Sequence, residues 1–73
     1  SSLDVETAFG VTNSILDLDG LTKVMVTHTL EESILRRCDA IITLKSGMIT
    51  EMGSFDELMD DKGYFYSLFT VSQ

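Results

Sequence analysis

The chain has little of several residue types, and each shortage excludes a class of protein. It contains one cysteine, Cys38, so no internal disulfide can form, and a single packed thiol fits a reducing cytosolic setting. It contains no proline, which excludes a proline-rich linker. Five basic residues stand against twelve acidic ones, giving a net charge of −7. Because proteins bind nucleic acid chiefly through lysine and arginine, we expect no nucleic-acid partner.

Long apolar runs and glycine-rich loops are also missing. No apolar stretch approaches the roughly 20 residues that span a bilayer. No glycine-rich loop of the kind that cradles phosphates occurs. At 73 residues the chain is at most one small domain with a marginal core. It opens with Ser1-Ser2 rather than methionine and runs directly into a helical pattern, so we expect a segment of a larger protein; a complete small domain released from a tag fits the same observation.

The first part of the chain predicts a helix to about Leu18. Asp4 suits the N-cap, and Glu6 in the first turn suits the helix dipole. Asp19-Gly20 would end the helix. Apolar and small residues recur at helical spacing and are predicted to form a buried stripe: Val5, Ala8, Phe9, Thr12, Ile15 and Leu16.

The chain's single histidine follows a short apolar run. Val24–Val26 is continuously apolar, which predicts a strand covered on both faces of a parallel sheet. Thr29 and Glu32 have capping-box spacing and predict a helix that ends near Arg37. His28 would then lie at the carboxyl end of a buried strand, the edge where open α/β sheets bind ligands.

The second part predicts a β-hairpin. Ala40–Leu44 and Met48–Met52 are candidate strands, and Lys45-Ser46-Gly47 between them has a turn composition. The two strands would be neighbours in the sheet.

Two helices are predicted after the hairpin. Ser54 and Glu57 form a capping-box pair that opens a short helix to about Asp60. A last helix contains Tyr64, Phe65, Leu68 and Phe69. The order helix, strand, helix, hairpin, helix, helix indicates an α/β fold whose sheet is incomplete, because a strand covered on both faces needs neighbours that these residues do not supply.

Several residue clusters have structural interpretations. The aromatic residues near the end predict core packing, because a membrane-surface helix usually also has a basic face. The acidic residues before them predict a solvated helix face, because the order of ligands in a calcium loop is absent. The methionines are predicted to pack. The aromatic residues are Tyr64, Phe65, Tyr66 and Phe69. The acidic residues are Asp56, Glu57, Asp60 and Asp61. The methionines are Met25, Met48, Met52 and Met59.

The order of short motifs resembles the ATP-binding cassette (ABC) ATPases. Ser1-Ser2-Leu3-Asp4 is similar to the family's D-loop, usually Ser-Ala-Leu-Asp, and stands at the expected distance before an apolar strand that ends in one histidine. His28 resembles the switch histidine of the H-loop. Residues 40–53 are similar to the family's strand, glycine turn and Glu-x-Gly segment. Ser54–Leu58 resembles the Thr-His-x-Glu-Leu that follows, and Gly63–Leu68 the Gly-x-Tyr-x-x-Leu ending of exporter-type cassettes.

The sequence also departs from the family pattern. Ser2 stands where alanine is usual, and Thr29 stands where many exporters have arginine. The Walker A loop, glutamine loop, signature sequence and Walker B carboxylates do not occur in these residues. In the family the Walker B aspartate and its adjacent glutamate would lie immediately before Ser1. The resemblance therefore implies a partial P-loop NTPase fold over residues 1–73, the carboxyl-terminal segment of an ABC ATP-binding domain.

The resemblance implies a function for the parent protein. A parent would bind ATP and Mg²⁺, hydrolyse ATP and couple hydrolysis to transport, with export favoured by the ending. His28 would be catalytic, and Ser1, Ser2, Leu3 and Asp4 would contact a second cassette. The other implied partners are the remainder of the cassette and a transmembrane domain, at the cytoplasmic face of the membrane.

The segment alone lacks a phosphate cradle, so we expect it neither to bind a cofactor nor to hydrolyse ATP.

Two alternatives stay open. An acidic α/β interaction module without catalysis, with a structural or pH-responsive His28, is the alternative from a different class. A soluble cassette of an ABC ATPase without a transport role is the third candidate.

Overall fold

The computed structural model describes residues 5–73 and contains helices and one small sheet. Helix α1 spans Val5–Leu16 and α2 spans Glu32–Leu35. Strands β1 and β2 span Ile41–Lys45 and Met48–Gly53 and pair antiparallel. Two further helices are α3, Phe55–Asp61, and α4, Tyr64–Ser72. The described residues thus form a small α/β unit that is compatible with part of an ABC cassette.

The predicted hairpin is confirmed. The turn is two residues long, and both Ser46 and Gly47 have positive φ, 53° and 76°. Such two-residue turns match the right-handed twist of paired strands. A register shift between Thr43 and Leu44 bends the hairpin, and Thr43 faces inward, only 7% exposed. One face of the hairpin therefore points toward the helices.

The predicted capping box at the start of α3 is also confirmed. The Glu57 amide donates to Ser54 Oγ at 3.2 Å, and the Ser54 amide donates to Glu57 Oε1 at 2.8 Å. The helix ends at Lys62, which adopts the left-handed conformation. Two otherwise unpaired amides at the helix start are thereby satisfied by residues three positions apart.

The core lies between the hairpin and the helices that follow and precede it. The rings of Phe55 and Phe69 meet edge to face at 5.1 Å between centroids, and Phe65 meets Phe55 in the same way at 5.9 Å. The prediction of aromatic core packing is confirmed for Phe65 and Phe69, which are 1% and 6% exposed. The buried cluster comprises Leu35, Phe55, Leu58, Phe65 and Phe69.

The carboxylate of Glu51 joins the hairpin to α4. Its Oε1 accepts a hydrogen bond from the Phe65 amide at 2.8 Å and from Thr43 Oγ1 at 3.2 Å. The N-cap residue of α4 is Gly63, which has no side chain to cap the helix. A Cβ at Gly63 would lie 2.5 Å from Glu51 Oε2. Glycine at this position thus leaves room for a cap supplied from β2.

The predicted strand Val24–Val26 is wrong for this structure. None of these residues is in a strand, and the sheet described within residues 5–73 contains only β1 and β2. Val24 and Val26 are 88% and 93% exposed. A strand needs a neighbour to pair its amides and carbonyls, and no described segment pairs with Val24–Val26. These backbone groups can bond water instead.

The predicted buried stripe of α1 is also wrong. The helix has no buried residue, and Val5, Phe9 and Ile15 are 82%, 42% and 49% exposed. It ends at Leu16 rather than near Leu18. Its apolar residues have the expected spacing, and Ala8, Thr12 and Leu16 are half-buried, but no described helix or strand buries the stripe. The predicted N-cap, Asp4, lies outside the described residues.

The predicted capping box at Thr29 and Glu32 is not formed. Helix α2 begins at Glu32, and the N-cap residue is Glu31, which makes no capping bond with its side chain. The Thr29 amide instead donates to Thr27 Oγ1 at 3.0 Å. This local hydrogen bond to the Thr27 hydroxyl competes with the longer helix that the spacing of Thr29 and Glu32 predicts.

The methionines were predicted to pack, and the structure separates them. Met59 packs against the core. Met25, Met48 and Met52 are 42%, 70% and 67% exposed, so the prediction is wrong for these three. Met48 and Met52 belong to β2, where the hairpin face away from the helices is uncovered.

Candidate functional site

His28 lies in an exposed bend between α1 and α2. The bend is closed by the Thr29 amide, which donates to the hydroxyl of Thr27. The histidine is exposed, and its side chain makes no hydrogen bond or ion pair with residues 5–73. The imidazole is therefore accessible to a ligand from solvent. It does not lie at a strand end, because the strand predicted before it is not formed.

The amino terminus of α2, the helix that follows His28, does not lie beside the imidazole. Glu32 is the first residue of α2, so three residues separate the helix from His28. The helix is four residues long. The chemistry available at this bend is therefore that of the imidazole, whose ring nitrogens can donate or accept a hydrogen bond.

The four D-loop-like residues, Ser1, Ser2, Leu3 and Asp4, lie outside the described residues. Helix α1 begins at Val5, the next residue in the chain. The structure therefore describes the helix that follows these four residues but does not test their predicted role.

Two neighbouring arginines after α2 contact different helices. Arg36 Nε donates to Glu32 at 2.7 Å, its Nη1 donates to Asp56 at 3.0 Å, and its guanidinium lies 4.6 Å from the Phe55 ring centre. The hydrogen bond to Glu32, opposed by desolvation and assisted by Asp56, raises the pKa of Arg36. Arg37 contacts Asn13 and Asp17 instead. The capping-box spacing predicted only a helix that ends near Arg37, and that reasoning missed these partners.

Cys38 is half-buried, as a packed thiol should be. Its Sγ lies 3.5 Å from the Ile34 carbonyl oxygen. Burial, assisted by the charge of Asp39, raises the pKa of the Cys38 thiol. A raised pKa reduces the thiolate population, so this cysteine is poorly suited to nucleophilic or metal chemistry.

The described residues do not form a magnesium–nucleotide site. Residues 5–73 contain no group of three carboxylate, histidine or cysteine side chains arranged to hold a metal ion. A cleft of about 150 Å³ lies between α1 and residues 23–25, and its lining is mostly apolar side chains. That volume is below the roughly 300 Å³ of common ligand pockets. A hollow of about 600 Å³ along α1 is larger, but it is shallow and open, and no charged side chain lines it. His28 lines neither of them. The feature of the described residues that suits a nucleotide is the exposed imidazole of His28, which can supply a single hydrogen bond.

No helix within the described part of the chain has both the length and the apolar character needed to cross a bilayer.

The chain is similar in sequence to several transport proteins. It is 41% identical to the serine protease/ABC transporter B family protein tagB of Dictyostelium discoideum over 71 residues, 96% of this chain and 4% of that protein. It is 41% identical to ATP-binding cassette sub-family B member 5 of Homo sapiens over 69 residues, 93% of this chain and 5% of that protein. It is 39% identical to the beta-(1-->2)glucan export ATP-binding/permease protein NdvA of Bartonella bacilliformis over 69 residues, 93% of this chain and 11% of that protein.

The chain thus spans between 4% and 11% of the length of these relatives. No protein-family model matches the chain, and no solved structure matches it. The sequence matches nevertheless agree with one another and span nearly all of the chain. They show that the chain belongs to the ABC transporter family, as a segment of an exporter-type nucleotide-binding domain.

Proposed function

We propose that this chain is the carboxyl-terminal segment of an ABC ATP-binding domain whose parent couples ATP hydrolysis to export across a membrane. The observation that supports the proposal most is the 41% identity over 96% of the chain. Because so little of the chain is left out of that match, His28 lies inside it whichever end is excluded. The export direction is supported by the Bartonella relative, whose name describes an export ATP-binding/permease protein.

The catalytic role falls to His28. Phosphoryl transfer is catalysed mainly by positioning and by stabilising charge on the transferred phosphoryl group. A hydrogen-bond donor aimed at that charge can supply much of the stabilisation. An exposed imidazole without a protein partner among residues 5–73 can make this contact. In the parent, His28 donates a hydrogen bond to the terminal phosphate of ATP, which other parts of the cassette hold.

The four residues Ser1, Ser2, Leu3 and Asp4 contact the second cassette in the proposed parent. There they help to position the opposite Walker A loop and the attacking water. The support is the D-loop resemblance and the position of α1, which begins immediately after Asp4. Asp4 also suits the N-cap of that helix, and one carboxylate can serve both roles.

The other parts that ATP-driven transport requires lie outside this segment. Mg²⁺ and the phosphate cradle come from the remainder of the cassette, since residues 5–73 contain no metal-binding cluster. The transmembrane partner lies in a membrane domain of the parent, with the cassette on the cytoplasmic face. The segment alone therefore hydrolyses no ATP, and titration with Mg-ATP should show no micromolar affinity.

The test is ATP turnover by a complete transporter that contains this segment. His28→Ala should lower turnover by about 100-fold, the usual loss when one donor to a developing charge is removed. Nucleotide binding should persist, because other residues cradle the phosphates. Asp60→Asn, an exposed change on α3, is the matched control and should retain full turnover. Wild-type turnover in His28→Ala would contradict the proposed role.

A further inference from the structure

Helix α1 is held to the rest of the structure with little help from packing. It has no buried residue and its contacts with the other helices and strands are sparse. Arg37 supplies a specific connection. Its Nη1 donates to Asn13 Oδ1 at 2.8 Å, and its Nη2 donates to Asp17 Oδ1 at 2.7 Å. The Lys23 ammonium also donates to the carbonyl oxygens of Leu16 and Leu18 at this end of the helix, but Lys23 is close in sequence, so Arg37 supplies the contact from beyond α2.

The geometry of this contact requires an arginine. Asn13 and Asp17 are four residues apart, so they lie one above the other on one face of the helical turn. The planar guanidinium presents two nitrogens to the two side chains, and Nη1 also lies 3.4 Å from the Asn13 carbonyl oxygen. A lysine ammonium is a point charge and does not reproduce this fork. The Arg37 side chain is 35% exposed, so the contact is partly shielded from water.

The contact joins two parts of the chain that follow the proposed site residues in the sequence. Helix α1 begins directly after Asp4, and α2 is the first helix after His28. Arg37 lies two residues beyond the end of α2. The guanidinium therefore connects the helix that follows the D-loop-like residues with the helix that follows the histidine.

We propose that Arg37 is a positioning residue that sets the placement of α1 relative to the bend that contains His28. The proposal rests on the proposed function for its catalytic consequence. It assigns Arg37 no contact with nucleotide. Its partners are Asn13 on α1 and Asp17, the first residue after α1.

Arg36 provides a matched control. It is the neighbouring residue with the same charge, but its partners are Glu32, Asp56 and the Phe55 ring, none of which belongs to α1. Removal of its guanidinium should affect the contact between α2 and α3. It should not release α1.

The first test measures amide hydrogen exchange in the full chain. Arg37→Gln should accelerate exchange at the last residue of α1, Leu16, and in the turn after it, at Asp17, by about two- to fivefold, the range for a partly exposed ion pair. Asp17→Asn, a milder change at an exposed carboxylate, should accelerate the same amides. Arg36→Gln should leave them unchanged. Equal exchange in Arg37→Gln and wild type, or α1 amides that exchange without protection in wild type, would overturn the proposal.

The second test separates positioning from stability in a complete transporter. At equal amounts of folded protein, Arg37→Gln should lower kcat by about two- to fivefold and leave KM for ATP unchanged. The double variant Arg37→Gln/Asp17→Asn should be no worse than Arg37→Gln, because both changes break one contact. Additive losses, or a change in KM alone, would overturn the proposal. Turnover in His28→Ala tells the two failures apart: if it is retained, the proposed function fails, whereas an inactive His28→Ala beside a fully active Arg37→Gln removes only the role of Arg37.

Discussion

Residues 5–29 and residues 30–73 both contain apolar side chains at helical or strand spacing, but the buried apolar core lies in residues 30–73, and even there one face of the hairpin stays uncovered. The later region places Phe55, Phe65 and Leu58 in a core at 5%, 1% and 2% exposure. The earlier region leaves Val5 and Val24 at 82% and 88%. The difference shows that spacing alone determines which face of an element is apolar, whereas burial depends on a second element to cover that face.

The two regions differ because of where their partners lie in the sequence. In the later region, β2, α3 and α4 follow one another directly, and Glu51 caps a helix that begins 13 residues further on. Short connections lower the entropic cost of closing these contacts. The earlier region has no such partner nearby, and Arg37 is a polar contact that reaches it from a distance. In the proposed parent, the remainder of the cassette covers this apolar surface.

The largest expected difference between the regions comes from removing a phenyl ring in each. Phe65→Ala should cost about 3–5 kcal/mol, because it opens a cavity beside Phe55 and Phe69. That loss is comparable to the whole stability of a small domain, roughly 0.05–0.15 kcal/mol per residue. Phe9→Ala, at a ring 42% exposed, should cost less than about 1 kcal/mol. Urea denaturation followed by circular dichroism measures both, and equal losses would contradict the contrast.

The next difference comes from adding a methyl group to a glycine in each region. Gly63→Ala should destabilise the chain by about 1–2 kcal/mol, because its Cβ displaces the Glu51 carboxylate that accepts from the Phe65 amide. Gly10→Ala lies in α1 with nothing within 4 Å of the new Cβ. It should stabilise the helix by about 0.5–1 kcal/mol. Thermal unfolding of the two variants should shift in opposite directions.

A double variant sharpens the prediction for Gly63. Glu51→Ala removes the same cap, so Gly63→Ala should cost almost nothing more when it is added to Glu51→Ala. A full additional loss would show that Gly63 acts through something other than the room it leaves for Glu51.

The smallest difference concerns the two capping-box patterns. Ser54→Ala should cost about 1 kcal/mol, because it removes the acceptor of the Glu57 amide. Thr29→Ala should change stability by less than about 0.5 kcal/mol, since the Thr29 side chain caps no helix and only its amide is bonded. Chemical denaturation of the matched pair checks this, and a loss at Thr29 equal to that at Ser54 would show that the predicted box forms in solution.

The sequence predicts the fold where local chemistry decides it. Turn residues and capping residues act within three or four positions, so the hairpin at Ser46-Gly47 and the start of α3 at Ser54 could both be predicted. The apolar run Val24–Val26 indicates a strand only on the condition that neighbouring strands pair with it. The described residues supply none, and the strand predicted from that run is absent.

The candidate site could also be predicted only where a local sequence signal marks a residue. His28 could be singled out because it is the chain's one histidine and follows an apolar run, and the structure leaves it exposed. Its role and that of Ser1 to Asp4 stay predictions. Arg37 could not have been assigned its partners from spacing, because Asn13 lies 24 residues away and Asp17 lies 20 residues away. Contacts over such distances depend on tertiary placement.

The most direct test of the account is amide hydrogen exchange at Val24, Met25 and Val26, measured in this chain and in a complete transporter that contains it. We predict fast exchange in the chain, where these residues are not in a strand, and strong protection in the transporter, where neighbouring strands pair with them. Fast exchange in both would contradict the claim that this segment completes its sheet with the remainder of a cassette.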